Sequence, residues 1–460
     1  MQEPLDTDVA IVGAGVVGCA IARELSHFDL RVTLIEAGPD VGAGTSKANT
    51  ALLHTGFDAK PGTLEARLVP RGFELLSEYA RRVGIPVERT GALLVAWNEE
   101  QLAEFPGIVE RAHANGHRAI AEVGVEELYR REPQLGPGAR GALEVPDEAL
   151  VCPFTTPLAY ATEAVLAGCD LRRSTPVTAV ERLDTGGFRL STPAGALRTR
   201  YLVNAAGLHS DELDRMLGHE RFTVTPRRGE LIVFDKLARP LVQHIVLAVP
   251  TKITKGVLIA PTVFGNVMLG PTAEDVKRKD DTESTAKGLA YLRAEGARIM
   301  PKLLEHEVTA VYAGLRAATE HMDYQLSVHA EGYACVGGIR STGLSASMAI
   351  AEHVRGELGG AGLRLEPRST PPPEFVMPNV GERSERPYQR RELIDADGDY
   401  GRIVCFCERV TRGEVRDAMD GPLPAVDLDG LRRRTRAHMG RCQGFFCGAE
   451  LTELLEAENG

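Results

Sequence analysis

Long apolar runs are missing from this 460-residue chain: no stretch approaches the roughly 18 consecutive apolar residues of a membrane-spanning helix. Aromatic residues are scarce, 5% in all with a single tryptophan. Positive charge is in deficit, with 53 Lys and Arg against 64 Asp and Glu and a net charge of −11. That balance excludes a general nucleic-acid binder, which needs a basic face. The start, Met1-Gln2-Glu3-Pro4, lacks a basic segment ahead of an apolar one. No export signal is therefore expected, and the expected location is cytoplasmic, with peripheral attachment to a membrane left open. Ordinary shares of hydrophobic (43%) and charged (25%) residues exclude collagen, wholesale disorder and a small disulfide scaffold. The length suits roughly two to four domains.

Cysteine is sparse but unevenly placed. Cys19, Cys152, Cys169 and Cys335 stand alone and read as small buried hydrophobes. The other four crowd the last sixty or so residues as Cys405-Phe406-Cys407 and Cys442-Gln443-Gly444-Phe445-Phe446-Cys447. In a cytoplasmic chain such a cluster points to a metal centre rather than to disulfides. A thiolate tetrad suits an iron–sulfur cluster or zinc, and the spacing is not the C-x2-C pairing usual for structural zinc.

The apolar run at 8–12, the helical pattern from Val16 to about Leu25 and the strand at 31–36 form a βαβ unit. Further strands are expected at 91–96, 202–205, 231–234, 257–259 and 332–336. Helices are expected at 64–83, 99–115, 156–166, 285–300 and 345–355. The mixture predicts an α/β sheet plus a second sheet, without internal repeats. From about 368 to 399 prolines and charges replace the periodicity, as in a linker or surface strap. Residues 403–458 then form a small helical unit, with a Thr411/Glu414 capping box and helices at 429–438 and 448–458. Fifty-odd residues make a marginal core, which a metal centre would reinforce.

Gly13-Ala14-Gly15-Val16-Val17-Gly18 follows the first strand and opens a helix, and Glu36 ends the next strand. Gly13 permits the tight turn, Gly15 lets the backbone approach a pyrophosphate, and Gly18 lets helix and sheet pack closely. The helix N-terminus favours phosphate charge and Glu36 can bind ribose hydroxyls, which points to FAD or NAD. Two more glycine-rich strand ends, 203–210 with Ala206 and Gly207 and 335–344 with Gly338, Gly343 and Leu344, favour FAD.

These motifs, together with Gly44-Thr45-Ser46-Lys47-Ala48-Asn49-Thr50 and Leu53-His54-Thr55-Gly56, resemble the D-amino-acid-oxidase superfamily over about residues 6–358. The similarity is greatest to its L-2-hydroxyglutarate oxidase and FAD-dependent glycerol-3-phosphate dehydrogenase branch. The tail, with Asp429 to Arg436 and Met439 to Cys447, resembles the bacterioferritin-associated-ferredoxin-like [2Fe–2S] domain. The resemblance implies a discontinuous Rossmann-like FAD domain (1–83, 151–215, 326–360) and a β-sheet substrate domain (84–150, 216–325). A linker (361–400) and a mainly helical iron–sulfur domain (401–460) would follow. It implies Thr45 and Ser46 as FAD contacts and Cys405, Cys407, Cys442 and Cys447 as cluster ligands.

An FAD dehydrogenase of a small anionic secondary alcohol is therefore expected, with electrons leaving through the cluster to a redox protein or quinone and a hetero-oligomer as the natural setting. His54 is the candidate base, and Arg316 and Arg340 are the better candidates to bind the anion. Arg227, Arg228, Lys252, Lys255 and His321 are weaker ones. Arg432, Arg433, Arg434 and Arg441 would offset cluster charge or form a docking face. The segment Gly337-Gly338-Ile339-Arg340 lacks the lysine usual in anaerobic glycerol-3-phosphate dehydrogenases. A 2-hydroxy acid such as 2-hydroxyglutarate, glycerol 3-phosphate, and an amine or amino acid all stay open as substrates, as does a non-catalytic electron-transfer role.

Overall fold

Unbroken apolar strands such as Thr7–Val12 and Val32–Ile35 need cover on both faces, and the computed structural model supplies it; it describes residues 5–250 and 256–459. Thr7–Val12 runs parallel to Val32–Ile35 on one side and to Gly195–Asn204 on the other, and Tyr333–Gly337 extends the parallel set. Among the described residues this sheet has eight strands, ending in the antiparallel pair Ala179–Arg182 and Phe188–Thr192 at one edge and Asp170–Arg172 at the other. The helices Val16–Leu25, Thr155–Leu166 and Gly343–Gly360 bury one face of it in the largest core. A smaller core around Phe188, Phe222 and Tyr333 closes the other.

A second layer, nine-stranded among the described residues, is built on the long antiparallel pair Thr225–Phe234 and Val308–Ala318. Its inner strands include Ala92–Ala96, Ile245–Ala248, Leu258–Pro261 and Val267–Gly270. The two layers meet along 45–50. A Cβ on Gly314 would lie 2.1 Å from Ala48 O, so only glycine lets the strand press there. Tyr312 Oη donates to Asn49 O at 2.8 Å, and Thr45 Oγ1 donates to Leu315 O at 2.9 Å.

Two expected helices change shape for local reasons. The one at 99–115 breaks into Glu99–Ala103 and Phe105–Ala114, because Pro106 tolerates only a first-turn position. The one at 429–438 is Leu428–Thr435, stopped by Arg436 in a left-handed conformation (φ +74°).

The segment 368–399 is a strap rather than a structureless linker. It includes the short helix Arg391–Ala396 and is pinned by Lys236–Glu382 at 2.7 Å and by Arg386 against Glu414. Behind it, Ile403–Cys405 pairs with Val410–Thr411, and Arg412–Asp420, Leu428–Thr435 and Gly448–Asn459 complete the small unit. The Thr411/Glu414 capping box forms. Among the described residues no helix is long and apolar enough to cross a membrane.

The small unit is docked by buried charge. Asp40, fully buried in the turn after Val32–Ile35, accepts from Arg433 Nη2 at 2.6 Å and from Arg434 Nη1 and Nη2 at 2.6 and 2.9 Å. Asp429 pairs with Lys47 at 3.0 Å, and the Arg436 guanidinium lies 4.0 Å over the Phe264 ring. Burial alone would raise the Asp40 pKa, but the hydrogen bonds and charges of Arg434 and Arg433 hold it below its ordinary value. This corrects the docking-face expectation: Arg433 and Arg434 face inward, and Arg432 pairs with Asp429.

Candidate active site and thiolate centre

Four mutually parallel strands end side by side, and the glycine-rich turns lie at those carboxyl ends, where open α/β sheets bind ligands. Gly13 turns at φ +101°, and a Cβ there would sit 2.5 Å from Ala205 O; one on Gly18 would sit 1.9 Å from Gly13 O. Gly15 caps Val16–Leu25 without a side-chain bond, and the first turn holds no acid. Its positive end is therefore open to an anion, with Ser46 Oγ accepting from Val16 N–H at 2.9 Å. Glu36 is fixed over this turn, accepting Ala14 N–H at 2.7 Å and Gly38 N–H at 2.8 Å while keeping lone pairs for hydroxyl donors.

A second helix start lies alongside. Gly343–Gly360 likewise lacks a side-chain cap and a first-turn acid, and a Cβ on Gly343 would approach Val17 Cγ2 to 3.9 Å. Gly338 and Gly207 take left-handed backbone at φ +65° and +56°, Ala206 N–H donates to Asn204 Oδ1 at 3.3 Å, and Leu344 is buried at the helix start. Two uncapped positive helix ends flanked by glycine turns form a cradle that fits a dinucleotide.

The segment 51–56 leads from this cradle toward the second layer. His54 N–H donates to Ser345 Oγ at 2.8 Å, and His54 Nδ1 lies 3.2 Å from Glu148 Oε2. Glu148 is fully buried between Gly141–Val145 and Ala149–Val151, and its Oε1 accepts both Thr55 N–H and Thr55 Oγ1–H at 2.8 Å. Sequence reasoning passed over Glu148, because Pro146-Asp147-Glu148 reads as a solvated turn.

The candidate cations separate sharply. Arg227 is held by Asp275 at 2.6 Å, and Arg228 by Glu274 at 2.7 Å and Asp281 at 3.0 Å. Arg340 donates to Met322 O at 2.5 Å and lies 3.9 Å from Glu65. His321 sits on an exposed turn, its Nε2 at 3.0 Å from Arg221 O. Lys252 and Lys255 lie outside the described residues.

Arg316 differs from all of these. Its guanidinium reaches only Thr272 O, at 3.3 and 3.4 Å, and no carboxylate among the described residues lies within ion-pair distance. Gly229 leaves it room, since a Cβ there would sit 2.8 Å from Nη2. Burial, with Arg227 nearby, pushes its pKa down to about 10, so it stays charged at neutral pH.

In the small unit all four cysteines are free and converge as two touching pairs, Cys405 with Cys447 and Cys407 with Cys442. The N–H groups of Phe446, Gly444 and Phe445 point at Cys442 Sγ and hold that thiol below its ordinary value. Burial and neighbouring Cys405 push the Cys447 thiol up to about 12. The loops around them need left-handed backbone at Arg409, Arg436, His438 and Gln443. They also need glycine at 440 and 444, where a Cβ would strike Cys407 Cβ at 2.2 Å and His438 Nε2 at 2.0 Å. Four thiols brought together in two close pairs, with N–H groups aimed at the Cys442 sulfur, would suit a [2Fe–2S] cluster, which they would hold as thiolates. Phe406, Phe445 and Phe446, 69%, 85% and 71% exposed, rim the more open pair, and Arg441 pairs with Asp235 at 3.1 Å.

Residues 8–355 match the family model described as FAD dependent oxidoreductase, and 403–457 that described as BFD-like [2Fe-2S] binding domain. Glycerol 3-phosphate dehydrogenase of Caloramator mitchellensis is 36% identical over 98% of this chain and 94% of its own. One subunit of the anaerobic glycerol-3-phosphate dehydrogenase of Escherichia coli K12 is 28% identical over 100% of this chain and 89% of its own. Among solved structures, dithionite-reduced L-alpha-glycerophosphate oxidase from Mycoplasma pneumoniae with FAD bound superposes with a TM-score of 0.76, at 28% identity over 81% of this chain and 99% of that one.

Proposed function

The chain belongs to the FAD-dependent oxidoreductase family, and from that premise we propose that it is a glycerol-3-phosphate dehydrogenase passing electrons through its cluster to a partner. FAD and a [2Fe–2S] cluster are its cofactors: FAD supplies a two-electron hydride acceptor, and the cluster accepts electrons one at a time. The observation that carries the reading is Arg316, a half-buried guanidinium that among the described residues meets a carbonyl but no carboxylate, as expected of a group awaiting an anion. Glycerol 3-phosphate is favoured over a 2-hydroxy acid because the full-length likenesses, cluster domain included, are to proteins of that name.

In this reading Arg316 grips the phosphate, Arg340 adds a second cation for the anion, and His54 takes the hydroxyl proton as the adjacent C–H is oxidised to a carbonyl. Gly13, Gly15 and Gly18 shape the pyrophosphate turn, and Glu36 binds ribose hydroxyls. Thr45, Ser46, Ala206, Gly207, Gly338, Gly343 and Leu344 line the rest of the FAD site. Cys405, Cys407, Cys442 and Cys447 hold the cluster. The acceptor meets the side rimmed by Phe406, Phe445 and Phe446, an apolar surface whose nearby Arg441 is already paired.

Anaerobic mixing of the purified holoprotein with glycerol 3-phosphate, 2-hydroxyglutarate or amino acids tests this by flavin absorbance. Bleaching by glycerol 3-phosphate alone is the expected result. Bleaching only by a hydroxy acid, or only by an amino acid, overturns the substrate assignment.

A further inference from the structure

We propose that Glu148 is a positioning residue for His54, holding the imidazole proton on Nδ1 so that Nε2 presents its lone pair to the substrate hydroxyl. The inference rests on His54 acting as the base in the proposed reaction.

A carboxylate with no solvent exposure is costly unless its oxygens receive donors. One oxygen of Glu148 is supplied twice, by Thr55 N–H and Thr55 Oγ1–H. The other, also buried, accepts no hydrogen bond in this geometry; His54 Nδ1 lies 3.2 Å from it, within ion-pair distance but out of hydrogen-bond alignment. A neutral imidazole carries one N–H. With that proton on Nε2, the Nδ1 lone pair would face a buried carboxylate, acceptor against acceptor. With it on Nδ1, an N–H faces the carboxylate, a small rotation of the ring completes the hydrogen bond, and the Nε2 lone pair can accept a proton.

The surrounding backbone makes this orientation durable. His54 N–H is tied to Ser345 Oγ, and Ser345 Oγ–H in turn donates to Leu52 O at 3.3 Å. Thr55 is tied to Glu148 itself, so the residues on either side of the ring's attachment are anchored to different elements. The carboxylate serves twice in the reaction. Before it, Glu148 sets the tautomer; afterwards it stabilises the imidazolium formed when Nε2 takes the hydroxyl proton. Atoms balance: the hydride leaves carbon for FAD, the hydroxyl proton goes to Nε2, the C–O bond becomes a carbonyl, and the imidazolium later releases its proton to solvent.

Glu148→Gln is the test. Glutamine keeps an oxygen for Thr55 but can turn an NH2 toward Nδ1, which moves the imidazole proton to Nε2. Flavin reduction by glycerol 3-phosphate is expected to slow ~10²–10⁴-fold, while the substrate Kd stays put. The acid limb of the pH–rate profile is expected at lower pH, because losing a nearby negative charge favours the neutral ring. Nitrogen-15 NMR of histidine-labelled protein, with His54→Gln giving the assignment, reads the tautomer without turnover. Nδ1–H in the wild type and Nε2–H in Glu148→Gln support the proposal.

The same tautomer in both, or an unaltered reduction rate, overturns it. Should Glu148→Gln not fold, Glu148→Asp shortens the reach to Nδ1 and is read by the same spectrum, with loss of the Nδ1–H signature expected and its retention refuting the proposal. A wild type that glycerol 3-phosphate does not bleach refutes the substrate reading instead, and the tautomer measurement still decides the role of Glu148.

Discussion

Two arginine sites withdrawn from solvent, one fully and one in part, differ in their partners. At the junction of the small unit with the flavin layer, Arg433 and Arg434 converge on Asp40, with every oxygen of that carboxylate engaged. In the second layer, half-buried Arg316 meets only a backbone carbonyl among the described residues. A buried charge with a matched partner is architecture; a buried charge without one costs stability unless something else supplies the partner. The contrast assigns the two sites different purposes, and substitution can break it.

The largest effect is expected at Arg316. Arg316→Ala removes a cation whose partner is the substrate, so kcat/KM for flavin reduction should fall ~10²–10⁴-fold, mostly as weaker binding. The melting temperature should hold or rise, because a half-buried charge without a carboxylate partner has been removed. A collapse in stability with substrate affinity intact would show that Arg316 belongs with the structural arginines.

Asp40→Asn should do the reverse. Two buried guanidinium groups lose their counter-charge, which costs about 3–5 kcal/mol. The small unit should loosen from the flavin layer, seen as faster proteolysis within the strap and a lower melting temperature, while substrate still bleaches the flavin. The pH dependence has a definite sign. Because the folded-state Asp40 titrates below its ordinary 3.8, its contribution is complete above that value and fades as pH falls through the depressed one. Asp40→Asn should therefore lose part of the acid sensitivity that the wild type shows in that range. Equal acid sensitivity in both proteins would remove Asp40 as its source.

This contrast was only half legible in the sequence. The strand Thr7–Val12, its glycine turn and Glu36 could be read because each signal is local: an apolar run, glycines at fixed offsets, an acid ending the next strand. The four clustered cysteines were legible for a similar reason, since thiols at short spacing have few bland uses. Asp40 and Glu148 were not. Each is a loop carboxylate of the kind that is usually solvated, and its partner comes from far along the chain; Asp40 and Arg433 are 393 residues apart. For the same reason the arginine-rich stretch at 432–434 read as an offset to cluster charge or a docking face rather than as the anchor it is. Arg316 stood out in sequence as one of two better candidates to bind an anion; its lack of a carboxylate among the described residues is a property of the folded state.

The smallest effect belongs to an ion pair with the same chemistry and none of the burial. Glu127 is bonded by Arg130 and by Arg131 at 2.5 and 2.7 Å on the helix Val125–Arg131, and those hydrogen bonds draw its pKa down to about 2. Its geometry is as good as that of Asp40. Water, however, solvates all three side chains once the pair is broken, and salt screens what attraction remains. Glu127→Gln should leave the melting temperature, flavin reduction and cluster content indistinguishable from wild type. If this exposed substitution cost as much as Asp40→Asn, short distances rather than burial would decide the stability of an ion pair, whatever its surroundings.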